Sequence, residues 1–311
     1  MKRAFLGIDT SNYTTSACIM TDDGVVYDKI PLTVRLGEKG VRQSEAVFQH
    51  TKNLPILLER IFAEARATLG EDINISAVGV SEKPRRVEGS YMPCFLAGVT
   101  SAVSISSAIG CPNYSFSHQE GHIRAAILGS GMDSSLSHFY SFHLSGGTCE
   151  LLEVKKDGHR YDTTVVADTA DITLGQLIDR SGVMMGLQFP CGPELERLAA
   201  ECGAIPSVKI KGAVSINLSG FENKVERMLS EGLSRYEVSA YVFGACIGAI
   251  KTLLSVRQFN DLPILFSGGV CSSHLIRRAI TSVYDNCYFA PPQYSADNAI
   301  GICALVKDIN S

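Results

Sequence analysis

Two histidines stand four residues apart in Ser117-His118-Gln119-Glu120-Gly121-His122. The segment before them, Cys111 to Phe116, reads as a short strand, and the residues after them (Ile123, Ala125, Ala126, Ile127, Leu128) read as a helix. With Ser117 as its N-cap, that helix places His118 and His122 one turn apart on one face. Two imidazoles so spaced can bind one metal ion, and zinc or iron suits nitrogen ligands. Two ligands do not complete a site. A third, a carboxylate, has to come from elsewhere, and Asp297 beside Asn298, just before the last apolar stretch, is the best candidate. The same spacing also describes two half-buried histidines without a metal, and Asp297 alone also reads as a helix cap.

A second chemistry is written in glycines. Ser145-Gly146-Gly147, Cys191-Gly192-Pro193 and Ser267-Gly268-Gly269 are turns in which a backbone can approach a ligand closely. Two Ser-Gly-Gly turns, each ending a strand, suggest a nucleotide held by main chain; each alone is also a plain tight turn. Neither the Walker pattern nor the dinucleotide Gly-x-Gly-x-x-Gly is present. Asp171 and Asp179 can reach a ribose hydroxyl or a metal-bound water, or act as a cap and a surface acid. Asp9 to Thr15 is a third polar turn, which fits a phosphate-holding loop or a hydrophilic hairpin.

The elements that position these residues repeat. Arg3–Ile8, Thr14–Met20 and Val25–Leu32 read as a three-stranded meander, and residues 138–167 show the same strand–turn–strand–turn–strand order. Each copy is followed by helices and further strands. A helix with its face at Val47, Leu54, Leu57, Leu58, Ile61, Phe62 and Ala65 is expected over 44–69, with Pro55 at a kink or a start. Further helices are expected at Phe95–Ile109, Leu174–Met185, Val238–Val256 and Ser272–Ser282, and one from Asp297 on. Residues 190–235 are polar and look inserted. The organisation is that of a duplicated α/β protein with a cleft between halves: residues 1–136, completed by a C-terminal helix at 297–311, and residues 137–296.

Composition narrows the function. The chain has 311 residues, 45% hydrophobic and 19% charged, enough for two cores. A net charge of −4 makes the whole molecule no magnet for nucleic acid, though Lys83, Arg85 and Arg86, or Arg277 and Arg278, can form a local phosphate-binding patch or simply a solvated basic face. The ten cysteines include no Cys-x-x-Cys, and their apolar neighbours suit reduced thiols in a cytoplasmic protein. No signal peptide or membrane span is expected.

Taken together these motifs resemble the tRNA threonylcarbamoyl-adenosine transferase family, formerly called O-sialoglycoprotein endopeptidase. The resemblance covers nearly the whole chain: Gly7-Ile8-Asp9-Thr10-Ser11, His118 to His122, Leu144-Ser145-Gly146-Gly147, Asp179, Gly186-Leu187, Pro190, Gly192-Pro193, Leu218-Ser219-Gly220, Ser267 to Val270 and Asp297-Asn298. It implies duplicated actin/sugar kinase/Hsp70-like (ribonuclease H-like) domains. It implies one iron or zinc ion on His118, His122 and Asp297. It also implies ATP or threonylcarbamoyl-adenylate held by Leu144, Ser145, Gly146, Gly147, Asp179, Gly192, Gly268, Gly269 and Ser273. The implied reaction transfers a threonylcarbamoyl group to the adenine beside the anticodon of tRNA, with further subunits of a tRNA-modification complex as partners. The protease label does not fit, because Glu120 stands two residues after His118, whereas His-Glu-x-x-His needs it directly after.

The chain departs from the family's pattern in four places. Thr14 stands where an acidic residue is usual, and Glu82 to Gly89 where a Gly-Pro-Gly turn is usual. Thr148 replaces a His, and Ser273 an Asn. These changes leave two alternatives: a diverged paralogue with another carbamoyl acceptor, and a non-catalytic ATP-binding regulator.

Overall fold

The computed structural model describes residues 2–11, 13–34, 41–295 and 299–311. It contains two compact units. The first comprises Met1–Leu128, Asp157–Tyr161 and Ala296–Ser311, and the second Gly129–Lys156 and Asp162–Ser295.

In the first unit, β1 (Lys2–Asp9), β2 (Thr14–Met20) and β3 (Val25–Pro31) form an antiparallel meander. β4 (Ile73–Lys83) and β5 (Asn113–Ser117) add in parallel, giving the order β3-β2-β1-β4-β5. β1 is a continuous apolar run because it is covered on both faces, whereas edge strand β3 buries Val26 and exposes Val25 and Tyr27. α1 (Gln43–Leu69) and α2 (Phe95–Ile109) pack on this sheet. Pro55 lies inside α1, which continues through it for 27 residues, so it marks neither a start nor an end. α3 (His118–Ser130) follows β5 directly.

The second unit repeats this connectivity. Strands β6 (His138–Leu144), β7 (Cys149–Asp157) and β8 (Arg160–Thr169) are neighbours in turn, and β10 (Ile264–Ser267) and β11 (Cys287–Phe289) lie beyond β6 in parallel. The short β9 (Ser215–Ile216) extends the far edge. Helices α4 (Leu174–Met184), α5 (Gly192–Glu201), α6 (Ser219–Ser230), α7 (Arg235–Leu254), α8 (His274–Thr281) and the single turn α9 (Pro292–Ser295) complete it. Residues 190–235, polar in sequence, are well folded: α5 buries Leu195 and Leu198, and α6 buries Val225 and Met228. α7 is long and apolar enough to cross a membrane, but 67% of that stretch is buried, as in the core helix of a folded unit.

The last helix, α10 (Ile300–Asn310), returns to the first sheet. Its approach depends on missing side chains. A Cβ on Gly7 would lie 2.6 Å from the Cys303 nitrogen, and one on Gly301 would run into the Gly121 carbonyl oxygen. Arg124 of α3 then clasps Asp308 of α10 through two hydrogen bonds of 2.7 and 3.0 Å. The glycine inside the histidine motif is therefore the crossing point of two helices.

Candidate functional site

The histidine pair begins with a cap. The Ser117 hydroxyl accepts the Glu120 N–H at 3.3 Å, and Glu120 Oε2 accepts the Ser117 N–H at 2.8 Å, which closes a capping box at the head of α3. His118 and His122 then fall one turn apart, with their Nε2 atoms 2.8 Å from each other. His118 Nδ1 lies 3.0 Å from Asp9 Oδ2, across 109 positions of sequence. A carboxylate behind one ring nitrogen fixes the tautomer and leaves the other nitrogen to a ligand. Asp9 itself is buried, and it accepts hydrogen bonds from the Ser11 and Ser81 hydroxyls. Thr10 beside it accepts the Gly98 N–H and donates to the Cys94 carbonyl. Asp9, Thr10 and Ser11 are all at most 1% exposed, whereas Tyr13 further along is 46% exposed.

Glu120 has a different task. It is 1% exposed and receives the Arg160 guanidinium at 2.7 and 3.1 Å. Burial by itself would raise its carboxyl; Arg160 and the Ser117 groups outweigh that and hold it below the usual range. Glu120 is thus a structural anchor. Nearby, His50 of α1 is fully buried with Nδ1 2.8 Å from the Thr15 hydroxyl. Burial pushes it down to about 4, against the pull of Asp9, so it is neutral at physiological pH.

The donor chemistry fits a metal: two imidazole nitrogens converge and one ring is oriented by a carboxylate. Among the described residues no group of three His, Cys, Asp or Glu side chains is placed to hold an ion. Asp297 and Asn298 lie outside the described residues.

The second unit brings the two Ser-Gly-Gly turns together. β6 and β10 are adjacent and parallel, Ser267 pairs with His143, and Ser145 and Gly268 follow at their carboxyl ends. Gly268 has φ +96° and packs on the Leu144 carbonyl so tightly that no Cβ fits. The Ser145 hydroxyl accepts the Gly147 and Thr148 N–H groups at 3.2 and 3.0 Å. The first turn of α4 presses against this loop: a Cβ on Gly175 would lie 2.7 Å from Gly146. The Thr173 hydroxyl also donates to the Gly146 carbonyl at 3.0 Å. Yet a Cβ on Gly146, Gly147 or Gly269 would meet nothing within 4 Å. Among the described residues no neighbour demands glycine at these three positions.

The remaining sequence candidates divide. Asp179 Oδ1 accepts the Cys191 N–H at 2.8 Å and so sets the start of α5 at Gly192. Asp171 accepts the N–H groups of Ile172, Leu218 and Ser219 at 2.7, 2.7 and 2.9 Å. Burial opposes these bonds, but they bring its carboxyl down to about 2. Asp171 is a loop clamp. The Ser273 hydroxyl accepts the Ile276 N–H and donates to Glu196 at 2.8 Å, which makes it the cap of α8. Arg277 is engaged by the carbonyls of Cys271 and Ala290 and stacks on Phe289, so it belongs to the framework of the unit. Asp9, Ser81, Arg160, Gly175 and Gly301 are the residues that sequence patterns did not single out for these roles. Only Asp9 and Gly175, at the end of an apolar strand and the start of a helix beside the loop, carried a local sign.

Comparison with known proteins gives the arrangement its family. The profile of TsaD, tRNA N6-adenosine threonylcarbamoyltransferase, matches residues 25–303. The chain belongs to that family. A transferase of Thermus thermophilus is 31% identical over 301 residues, covering 94% of this chain and 88% of the relative. That of Methanopyrus kandleri is 24% identical over 308 residues, covering 94% and 84%. The fold is shared more widely. The HypF structure from T. kodakarensis has a TM-score of 0.56 at 11% identity, covering 99% of this chain and 48% of that one. The ethanolamine utilization protein EutJ from Carboxydothermus hydrogenoformans has a TM-score of 0.50 at 9% identity, covering 97% and 90%. The duplicated α/β, actin-like class expected from the sequence is the class observed.

Proposed function

We propose that this protein transfers a threonylcarbamoyl group from its adenylate to N6 of an adenosine in tRNA. The observation that carries the reading is family membership over residues 25–303. Two features of the structure support it: the converging His118 and His122 nitrogens, and the paired turns with glycines open to a ligand.

The acceptor amine attacks the carbamoyl carbon, a C–N bond forms, and the bond from that carbon to the phosphate oxygen breaks. AMP leaves with the electron pair, and the amine proton passes to solvent. Since AMP is a good leaving group, orientation of the amine matters more than acid catalysis. Ser145 to Gly147 and Gly268-Gly269 provide the backbone surface for the adenylate, and Gly192 lies at the start of α5, where a helix N-terminus favours phosphate. Asp179 gives one oxygen to Cys191, and the ribose contact falls to its other oxygen. His118 and His122, with Asp297, hold an iron or zinc ion, and Asp9 fixes the His118 ring. When bound, such an ion supplies a Lewis acid for the acyl group.

The test is replacement of the resident transferase in a bacterial host. Threonylcarbamoyl-adenosine in bulk tRNA is measured by mass spectrometry. Restoration that disappears with His118→Ala supports the reading. Folded protein that binds ATP and restores nothing would overturn it, in favour of another carbamoyl acceptor or a regulator without catalysis.

A further inference from the structure

Two short segments lead into the parallel strands β10 and β11 of the second unit: Arg257 to Pro263 after α7, and Val283 to Asn286 after α8. They enclose a cavity of about 320 Å³ at the amino ends of these strands. Ser267-Gly268-Gly269 follows the other end of β10, so this is not the nucleotide turn. The walls are tied to each other. The Ile264 N–H donates to the Asn286 carbonyl at 2.8 Å, and the Asn286 amide to the Asp261 carbonyl at 3.4 Å. The Phe259 N–H donates to the Tyr140 hydroxyl at 3.3 Å.

Arg257 lines this cavity and is 9% exposed. Its guanidinium carbon lies 5.8 and 5.0 Å from the ring centres of Tyr140 and Tyr284, and its Nε donates to the Leu254 carbonyl at 2.9 Å. Stacking and that bond fix the plane of the group and use one of its five N–H donors. Among the described residues its terminal nitrogens have no hydrogen-bond partner and the group has no ion pair. A buried cation with unspent donors favours an anionic oxygen pair. Two exposed carboxylates, Asp261 and Asp285, line the same cavity, and neither pairs with Arg257 or with another cation among the described residues. A simple anion would meet their repulsion. A ligand with a carboxylate for Arg257 and an ammonium for the aspartates meets both charges. Leu262, Ile264 and Val283 supply an apolar wall beside them.

We propose that this cavity binds a free α-amino acid with an apolar side chain. Arg257 takes the carboxylate in a two-pronged contact, Asp261 and Asp285 face the ammonium, and the side chain lies on Leu262, Ile264 and Val283.

The experiment is titration calorimetry of the full chain with L-leucine and with its two halves, 4-methylpentanoate, which lacks the ammonium, and isoamylamine, which lacks the carboxylate. Each half should bind at least about tenfold more weakly than leucine, as expected when one charged contact is lost. Arg257→Lys keeps the charge but not the fork, and should weaken leucine and 4-methylpentanoate alike. Asp261→Asn with Asp285→Asn, both at exposed positions, should weaken leucine about tenfold and leave 4-methylpentanoate no weaker. Thermal melting checks that each variant is folded. Wild type that takes up no leucine below about 10 mM overturns the assignment. So does leucine binding indifferent to both sets of changes. A half that binds as tightly as leucine makes the cavity a plain anion or cation site and overturns it too. None of these outcomes touches the transferase reading.

Discussion

The two units build the same turn twice and use it in opposite ways. Where β1 runs into the turn before β2, Asp9, Thr10 and Ser11 are buried, and Asp9 faces Ser81 and His118. Between β6 and β7, the matching turn is Ser145-Gly146-Gly147, almost pure backbone, with space beside its glycines. One copy presents a charged group that orients a ring; the other presents open peptide backbone. Duplication of a scaffold thus keeps the strand ends and lets the chemistry diverge at three or four residues.

The largest effect should come from the main-chain copy at its closest contact. Gly268→Val places a branched side chain at φ +96° against the Leu144 carbonyl. A loss of about 3 kcal/mol or more is expected, read as insoluble protein or a strongly lowered Tm. Next comes the side-chain copy. Asp9→Asn keeps the shape but removes the charge behind His118, and should cut transfer activity about 10- to 100-fold, as loss of an orienting partner does. Its Tm should change far less than that of the Gly268 variant. The smallest effect on stability belongs to Gly147→Ala, which meets no neighbour within 4 Å. Tm should stay within what a shift of about 0.5 kcal/mol produces. ATP affinity, measured by titration calorimetry, should nevertheless fall about tenfold. Unchanged affinity would remove the ligand explanation for that glycine.

Much of the scaffold was legible because its signals are local. β2 at Thr14–Met20 and α2 at Phe95–Ile109 follow from alternation, turn residues and apolar content within short windows. What was not legible depends on partners far away in sequence. Nothing near Glu120 announces Arg160, and nothing near Gly121 announces Gly301. Asp171 and Ser273 show a related difficulty. Short polar residues beside glycine turns look like ligand contacts, and nothing local shows that their oxygens also accept backbone N–H groups at loop and helix starts. In residues 190–235 the polar average hid two amphipathic helices whose few apolar residues, Leu195, Leu198, Val225 and Met228, are the buried ones.

The return of α10 to the first sheet has a consequence for how the protein is made. Ribosomes add about 5–20 residues per second, so Gly7 and Gly79 emerge many seconds before Cys303 and Val306, which pack on them. During that interval the first sheet lacks its last helix, and an apolar furrow between β1 and β4 stays uncovered. The second unit, made in one nearly continuous stretch, can close while the first still waits. Closure of the first unit therefore waits for residues made after the second.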